Sequence, residues 1–343
     1  MKNLQTIQDV FEKWDRFVLT THASPDGDGI GSEMALFHFL KERGKTVHIL
    51  NPTPMTREFH FLDPHSDIEK YDKVKHAGIV QAADAFVILD IGSYTRLKEL
   101  GESILELDGK TVCIDHHPIT KHEFDYKLIE ADAAATGMIM YDLIKYMDAE
   151  AINFEIAQAL YCAIMTDTGS FRFNNTTPET HAIAKELLEH GVKPYNVYKN
   201  VYESYSLERM KLLGKIIDRL KLSDDKRIGY FPVTLEMQKE VGAEAHDVEG
   251  FSDFIRSIGD IEVAVMFHEI DPETTRINFR SKGRVVINSV AKKFDGGGHK
   301  FAAGAIIEKP YKEVIPMVIE EVQNVIEEYV ESESLQKVER ALQ

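Results

Sequence analysis

The chain has 343 residues, 43% of them hydrophobic, and a formal net charge of −17. That length supports more than one hydrophobic core, and the charge argues against a protein that wraps a long polyanion, which requires many Lys and Arg contacts to phosphate. No basic segment leads into an apolar stretch at the start, and no apolar run nears the roughly 20 residues of a membrane span, so a cytoplasmic protein without a membrane partner is expected.

From the N-terminus, "DRFVLTTH" (15–22) predicts a strand and "GSEMALFHFLKERG" (31–44) a helix. "KTVHIL" (45–50), "DAFVILDIG" (84–92) and "KTVCIDHH" (110–117) predict further strands. Short β-branched apolar runs separated by helices predict an α/β fold, here a mainly parallel sheet with helices on both faces. Helices then dominate over 135–147, 154–167, 178–191 and 204–222. Beyond them come strands at 227–234, 261–270 and 276–281, with helices around 248–258, 285–294 and 311–330. The expected organisation is a first domain over 1–190, a helical linker over 191–225 and a smaller α/β domain over 226–343, facing the first across a cleft. The two cysteines, Cys113 and Cys162, fall inside apolar segments and read as reduced, buried thiols.

Unusual side chains collect where predicted strands end. The first strand is followed by His22, Asp26 and Asp28, a later one by Asp90, and another by Asp115, His116 and His117; a helix end adds Asp167. Singly, each has an ordinary use: Asp28 as a helix cap, Asp90 as a strand terminator, Asp167 in a turn. Ligands in open α/β sheets gather beyond the carboxyl ends of strands, however, and clustered carboxylates repel unless cations sit among them. Carboxylates with imidazoles, and few thiols, suit Mn²⁺, Mg²⁺ or Fe²⁺ rather than a structural zinc. Pro25 stiffens the first turn, and Gly27 and Gly29 are expected to permit the backbone angles that aim Asp26 and Asp28.

These motifs resemble the DHH phosphoesterases. "HASPDGDGIGS" looks like the first motif of that family, "LDIGSYTR" the second, "DHHP" the third and "TDTGSF" the fourth, while "GGGHKFAAG" looks like the glycine-rich signature of the associated DHHA1 domain. "TDTGSFRF" and the two-domain length are closest to the RecJ-like nanoRNases, also called bifunctional oligoribonuclease and pAp phosphatases. One departure is Asp295, which stands where many members carry a glycine and adds a negative charge. The resemblance implies two divalent metal ions, Mn²⁺ first with Mg²⁺ or Co²⁺ as alternatives. One would be held by His22 and Asp26, the other by Asp28, His116 and Asp167, with Asp90 bridging. Asp115 would orient a histidine, and His117 would touch the scissile phosphate or help the leaving group. The implied activity is hydrolysis of short single-stranded RNA to nucleoside 5′-monophosphates and dephosphorylation of pAp, with a homodimer as the implied assembly. The rival readings are a cyclic di-AMP or pApA phosphodiesterase, a manganese pyrophosphatase, and a catalytically silent nucleotide-binding regulator.

The second domain carries a local excess of charge. Between Arg276 and Lys300 stand seven basic residues against Asp295 alone, a balance of +6. Within it, Gly296, Gly297 and Gly298 lack side chains, so a phosphate can approach the backbone, and His299 follows. Arg280 is the candidate for a bidentate phosphate clamp, next to Ser281; Arg96 is the candidate from the first domain. So confined a basic region predicts a short nucleotide substrate and no long nucleic acid.

Overall fold

The computed structural model describes residues 3–107, 109–117, 124–248 and 250–342, without the side chains of 245 and 333–342. Pro118, the last residue of the "DHHP" motif, lies outside the described residues. Two compact units divide between Ser204 and Tyr205. The residues expected to form a separate helical linker are therefore shared out. Val197 and Val201 of the helix Pro194–Tyr202 join the first unit's core, and Leu212 and Ile216 of the helix Leu207–Asp218 join a core of the second.

The first unit is built on six strands: β1 (Arg16–Thr20), β2 (Thr46–Asn51), β3 (Ile68–Lys70), β4 (Ala85–Leu89), β5 (Lys110–Asp115) and β6 (Tyr126–Ile129). They lie in the order β3-β2-β1-β4-β5-β6, with every pairing parallel. β3 and β6 are edge strands that sequence reading did not anticipate. The central strands are apolar on both faces because both faces are covered. Leu19, Val87 and Ile114 pack into one core with Ile30, Ile139 and Leu160 from the helices Gly27–Glu42, Thr136–Met147 and Phe154–Asp167. Their strand neighbours Val18, Ile88 and Cys113 face the opposite way, toward Val80, Leu100 and Ile104. Cys113 and Cys162 are both buried free thiols.

This strand order reverses direction between β1 and β4, which opens a crevice at their carboxyl ends. The residues that follow β1, β4 and β5 therefore converge there.

The second unit holds β7 (Lys221–Leu222), β8 (Ile228–Val233), β9 (Val263–Asp271), β10 (Thr274–Ser281), β11 (Gly297–His299) and β12 (Ala302–Ile307). Their order is β11-β12-β10-β9-β8-β7, antiparallel except for β8 with β9. Val290 and Val314, from the helices Asn288–Lys293 and Tyr311–Leu342, cover one face over Phe267 and Phe279. Met237, Phe251 and Ile255 cover the other over Phe231 and Met266. No helix among the described residues is long and apolar enough to cross a membrane.

Candidate metal centre

The loop after β1 is organised by Asp26. Its Oδ1 accepts the backbone N–H groups of Asp28 at 3.1 Å and Gly29 at 3.2 Å, capping the helix that starts at Gly27 rather than at Gly31 as expected. The cap is thus Asp26 and not Asp28. The reason for the glycines also differs from the expected one. Gly27 and Gly29 are helical, and a Cβ on either would lie 2.5 Å from the side chain of Thr166 or Thr21. They permit close packing rather than unusual backbone angles.

Asp28 points instead across the unit. Its Oδ2 accepts the N–H of Thr136 at 2.6 Å and its Oδ1 that of Gly137 at 2.8 Å, at the start of the helix Thr136–Met147. Ala135 at that N-cap offers no side-chain oxygen, so Asp28 takes over the capping role. Asp90 leaves β4 at φ 51°, a left-handed conformation, and its Oδ1 accepts from Thr136 Oγ1 at 3.1 Å. Gly92 follows at φ 61°, with the His117 ring 3.4 Å from where a Cβ would stand.

His22 Nε2 stands 3.5 Å from Asp26 Oδ2 and 3.7 Å from Asp90 Oδ2. His116 Nε2 stands 3.7 Å from Asp28 Oδ2, 3.5 Å from Asp90 Oδ1 and 3.6 Å from Asp167 Oδ2. Separations of this size are at or beyond the limit of a hydrogen bond. They match donors arranged around a common point, because two atoms each about 2.1 Å from one ion stand roughly 3 to 4 Å apart. Within the sets His22/Asp26/Asp90 and Asp28/His116/Asp167 the donor atoms all lie within 4.8 Å of one another. Oxygen and imidazole donors without a thiolate fit a hard or borderline divalent cation.

Electrostatics point the same way. Burial, then the charges of Asp90 and Asp167, push the Asp28 carboxyl well above the usual carboxylate range. Burial, then Asp26 and Asp90, do the same to Asp167. A cation among them reverses that penalty.

The ring orientations are fixed from behind. His116 Nδ1 lies 3.2 Å from the carbonyl of Ala133, and His22 Nδ1 lies 2.9 Å from that of Ala23. With Nδ1 donating, Nε2 presents its lone pair to the centre. Arg96 Nη2 also approaches His22 Nδ1, at 2.7 Å. That nitrogen cannot both donate to Ala23 and accept from Arg96, so ligation through Nε2 frees the guanidinium.

His117 belongs to a third set with Asp90 and His116, but its Nδ1 is engaged by Asp115 Oδ1 at 2.8 Å. Asp115, fully buried, also accepts the N–H of His117 at 2.8 Å and, through Oδ2, those of Ile91 at 3.0 Å and Gly92 at 2.8 Å. Burial opposes a charge on His117, but the bonds to Asp115 and Asp90 prevail and its pKa is pushed up to about 10.

Three residues of this neighbourhood escaped sequence reading. Thr136 bonds Asp90. Glu33 is wholly buried behind β1, and its Oε2 accepts from Asn51 Nδ2 at 2.9 Å, while Asn51 Oδ1 accepts the N–H of Thr21 at 3.0 Å. The available signal was a carboxylate inside the mostly apolar "IGSEMALF".

The predicted residues of the second unit form their own group. Arg280 on β10 and His299 on β11 both register with Ala302 of β12, which puts the three on one sheet face. Gly297–His299 is an edge strand. A Cβ on Gly298 would lie 2.5 Å from the carbonyl of Ala302 and one on Gly296 2.2 Å from that of Gly304, so the chain's own hairpin requires both; only Gly297 faces open space. Ser281 is buried, and its Oγ accepts the N–H of Gly283 at 3.3 Å. Acids outside the basic stretch offset much of its charge: Arg280 pairs with Asp253 at 3.1 Å, Arg284 with Glu262 at 3.5 Å, and Lys293 with Glu321.

The sequence matches the DHH family, N-terminal domain, over residues 16–164 and the DHHA1 domain over residues 210–331. The bifunctional oligoribonuclease and PAP phosphatase NrnA of Thermus thermophilus is 30% identical over 316 residues, 88% of this chain and 89% of that one. A crystal structure of an exopolyphosphatase-related protein from Bacteroides fragilis superposes with a TM-score of 0.85 at 29% identity, covering 96% of this chain and 95% of that one. The exonuclease RecJ bound to manganese shares the fold, with a TM-score of 0.51 at 13% identity over 94% of each chain. Strand order, donor sets at the β1/β4 switch and identity along most of both chains agree: this protein belongs to the DHH family, and a DHHA1 domain follows the first unit in sequence.

Proposed function

We propose that the protein is a metal-dependent phosphoesterase that hydrolyses short RNA oligonucleotides to nucleoside 5′-monophosphates and removes the 3′-phosphate of pAp. The observation that carries this reading is the pair of adjacent donor sets, with Asp90 of one set 3.5 Å from His116 of the other and His117 held beside them by Asp115. The name of the Thermus thermophilus relative supports the substrate class.

His22, Asp26 and Asp90 would hold one divalent cation, and Asp28, Asp90, His116 and Asp167 a second, with Mn²⁺ the ion this donor chemistry favours. Such cations, when bound, supply Lewis-acid stabilisation of phosphoryl oxygens and a nucleophilic hydroxide at neutral pH. The chain's own residues do the rest. Asp115 fixes the His117 ring through Nδ1, so Nε2 is the atom that His117 presents to a phosphoryl or leaving oxygen. Asp28 and Thr136 tie the centre to the start of the helix Thr136–Met147, which limits its freedom to relax. Arg96, beside His22, offers a guanidinium to a phosphate oxygen. Arg280, Gly297, Gly298 and His299 are assigned to the nucleotide, with Ser281 bracing the β10 end from inside.

The test is an assay of the purified protein with Mn²⁺, Mg²⁺ or Co²⁺ on a labelled RNA dinucleotide, a long single strand, pAp, pApA, cyclic di-AMP and polyphosphate. Turnover of dinucleotide and pAp above the others is expected. Metal-loaded protein that cleaves neither overturns the proposal, and preference for the cyclic or linear di-adenylate transfers it to that substrate class.

A further inference from the structure

Beside the acidic centre the first unit carries an open cavity of about 570 Å³ that the proposed chemistry leaves unused. Its lining comes from three segments beyond strand ends: 52–54 after β2, 70–74 at the end of β3, and 98–100 beyond β4. Because the sheet is parallel, these ends lie on the same side of the unit as the metal-ligand candidates. Two connections join the cavity wall to the centre. The N–H of Ser24, between His22 and Asp26, donates to Thr53 Oγ1 at 2.7 Å, and Lys98 follows two residues behind Arg96.

The chemistry of the lining is unusual for so acidic a chain. Lys70, Lys73 and Lys98 are exposed, and among the described residues none of them lies within 4.0 Å of a carboxylate oxygen. Two carboxylates share the lining with them: Glu99 is exposed beside Lys98, and Asp72 Oδ1 accepts the N–H groups of Val74 at 3.0 Å and Lys75 at 2.8 Å, while neighbouring Glu69 is engaged by Lys75 and His76. Lys98 adopts φ 51°, a conformation that costs a non-glycine residue stability and persists where its surroundings or its task require it. Val74, 89% exposed, gives the rim an apolar surface. Exposed ammonium groups at an open cavity suit the phosphates of a nucleic-acid backbone.

We propose that this cavity is a second nucleotide subsite, in which Lys70, Lys73 and Lys98 receive a non-scissile phosphodiester of an RNA oligonucleotide whose terminal linkage lies at the metal centre. The proposal rests on the phosphoesterase reading above and extends it to how substrate length is sensed. A strand of three or more nucleotides reaches the lysines; pAp, with its single nucleoside, gains nothing from them.

The experiment measures kcat/KM on a trinucleotide and on pAp, with Mn²⁺, for the full chain and for the double variants K70A/K98A and K70R/K98R. The alanine variant is expected to lower the trinucleotide-to-pAp ratio roughly tenfold and to flatten the salt dependence of trinucleotide turnover by about 0.7 in log–log slope for each lysine–phosphate pair removed. The arginine variant should restore most of both. An unchanged ratio in a protein that turns over both substrates overturns the subsite and leaves the phosphoesterase reading intact; so does an equal loss on both. Wild-type protein that turns over neither removes the underlying reading instead.

Discussion

Asp115 grips His117 twice, accepting both its backbone N–H and its ring Nδ1–H at 2.8 Å. The other carboxylate oxygen secures the two amides that follow Asp90. One buried side chain thus sets the position of two strand ends and the charge of a ring. Asp115→Asn should lower kcat by roughly 10- to 100-fold, the usual cost of losing a group that orients the centre. In chelated protein, NMR of the ring should show the His117 titration moving down from about 10 toward the ordinary histidine range. A raised histidine value means stability that is complete below about pH 6.5 and is lost as pH climbs through 10, so the variant should also lose that alkaline reserve.

Asp90 stands between the two ligand sets: its Oδ2 lies 3.7 Å from His22 Nε2 of its own set, and its Oδ1 lies 3.5 Å from His116 Nε2 of the other. Asp90→Asn should abolish tight binding of both ions by calorimetry and lower kcat by at least about a thousandfold, which corresponds to several kcal/mol of transition-state stabilisation. The melting temperature in chelator should hold or rise, because a negative charge leaves the crowd formed with Asp28 and Asp167. In wild type, saturating Mn²⁺ at 100 times Kd should add about 2.7 kcal/mol. A variant that still gains this increment would refute the shared assignment.

Glu33 gives a separate pH signature. Burial first, then the nearby charges of Asp90 and Asp63, push its pKa up to about 8 against one hydrogen bond from Asn51. Above about pH 4.5 the unfolded chain releases this proton while the folded protein retains it, so stability falls as pH rises from 4.5 to 8. The deficit reaches about 3 kcal/mol at pH 7. In chelated protein, Glu33→Gln should therefore melt higher than wild type at pH 8 and close to it at pH 5.

Two glycines should answer to alanine with opposite signs. A Cβ on Gly31 would lie 2.4 Å from the carbonyl of Ala159, whereas one on Gly214 meets nothing within 4 Å. Gly31→Ala should cost about 1–3 kcal/mol by overpacking the contact between helices Gly27–Glu42 and Phe154–Asp167. Gly214→Ala should add about 0.5–1 kcal/mol through helix propensity. Denaturant titration of each variant measures both.

What sequence reading could reach follows from what each residue depends on. Runs such as "AFVIL" and "KTVCID" announce buried strands by themselves, so the parallel sheet and the convergence of His22, Asp90, His116 and Asp167 were legible. Asp26 and Asp28 could not be told apart as caps, because that depends on where the helix starts and on the partner helix that begins at Thr136, 108 residues beyond Asp28. The charge excess around Arg280 looked unopposed because Asp253, Glu262 and Glu321 lie outside that stretch. Glu33 and Asn51 join only through the pairing of β1 with β2 and the helix laid across them.

Asp26 divides its carboxylate, one oxygen on the first amides of its helix and the other turned to His22. Any cation drawn to the outer oxygen pins the side chain against rotation and so holds the inner oxygen on those amides. Hydrogen–deuterium exchange at Asp28 and Gly29 should accordingly slow on metalation and quicken on chelation. The helix entrance then serves as a built-in gauge of occupancy, readable without any substrate.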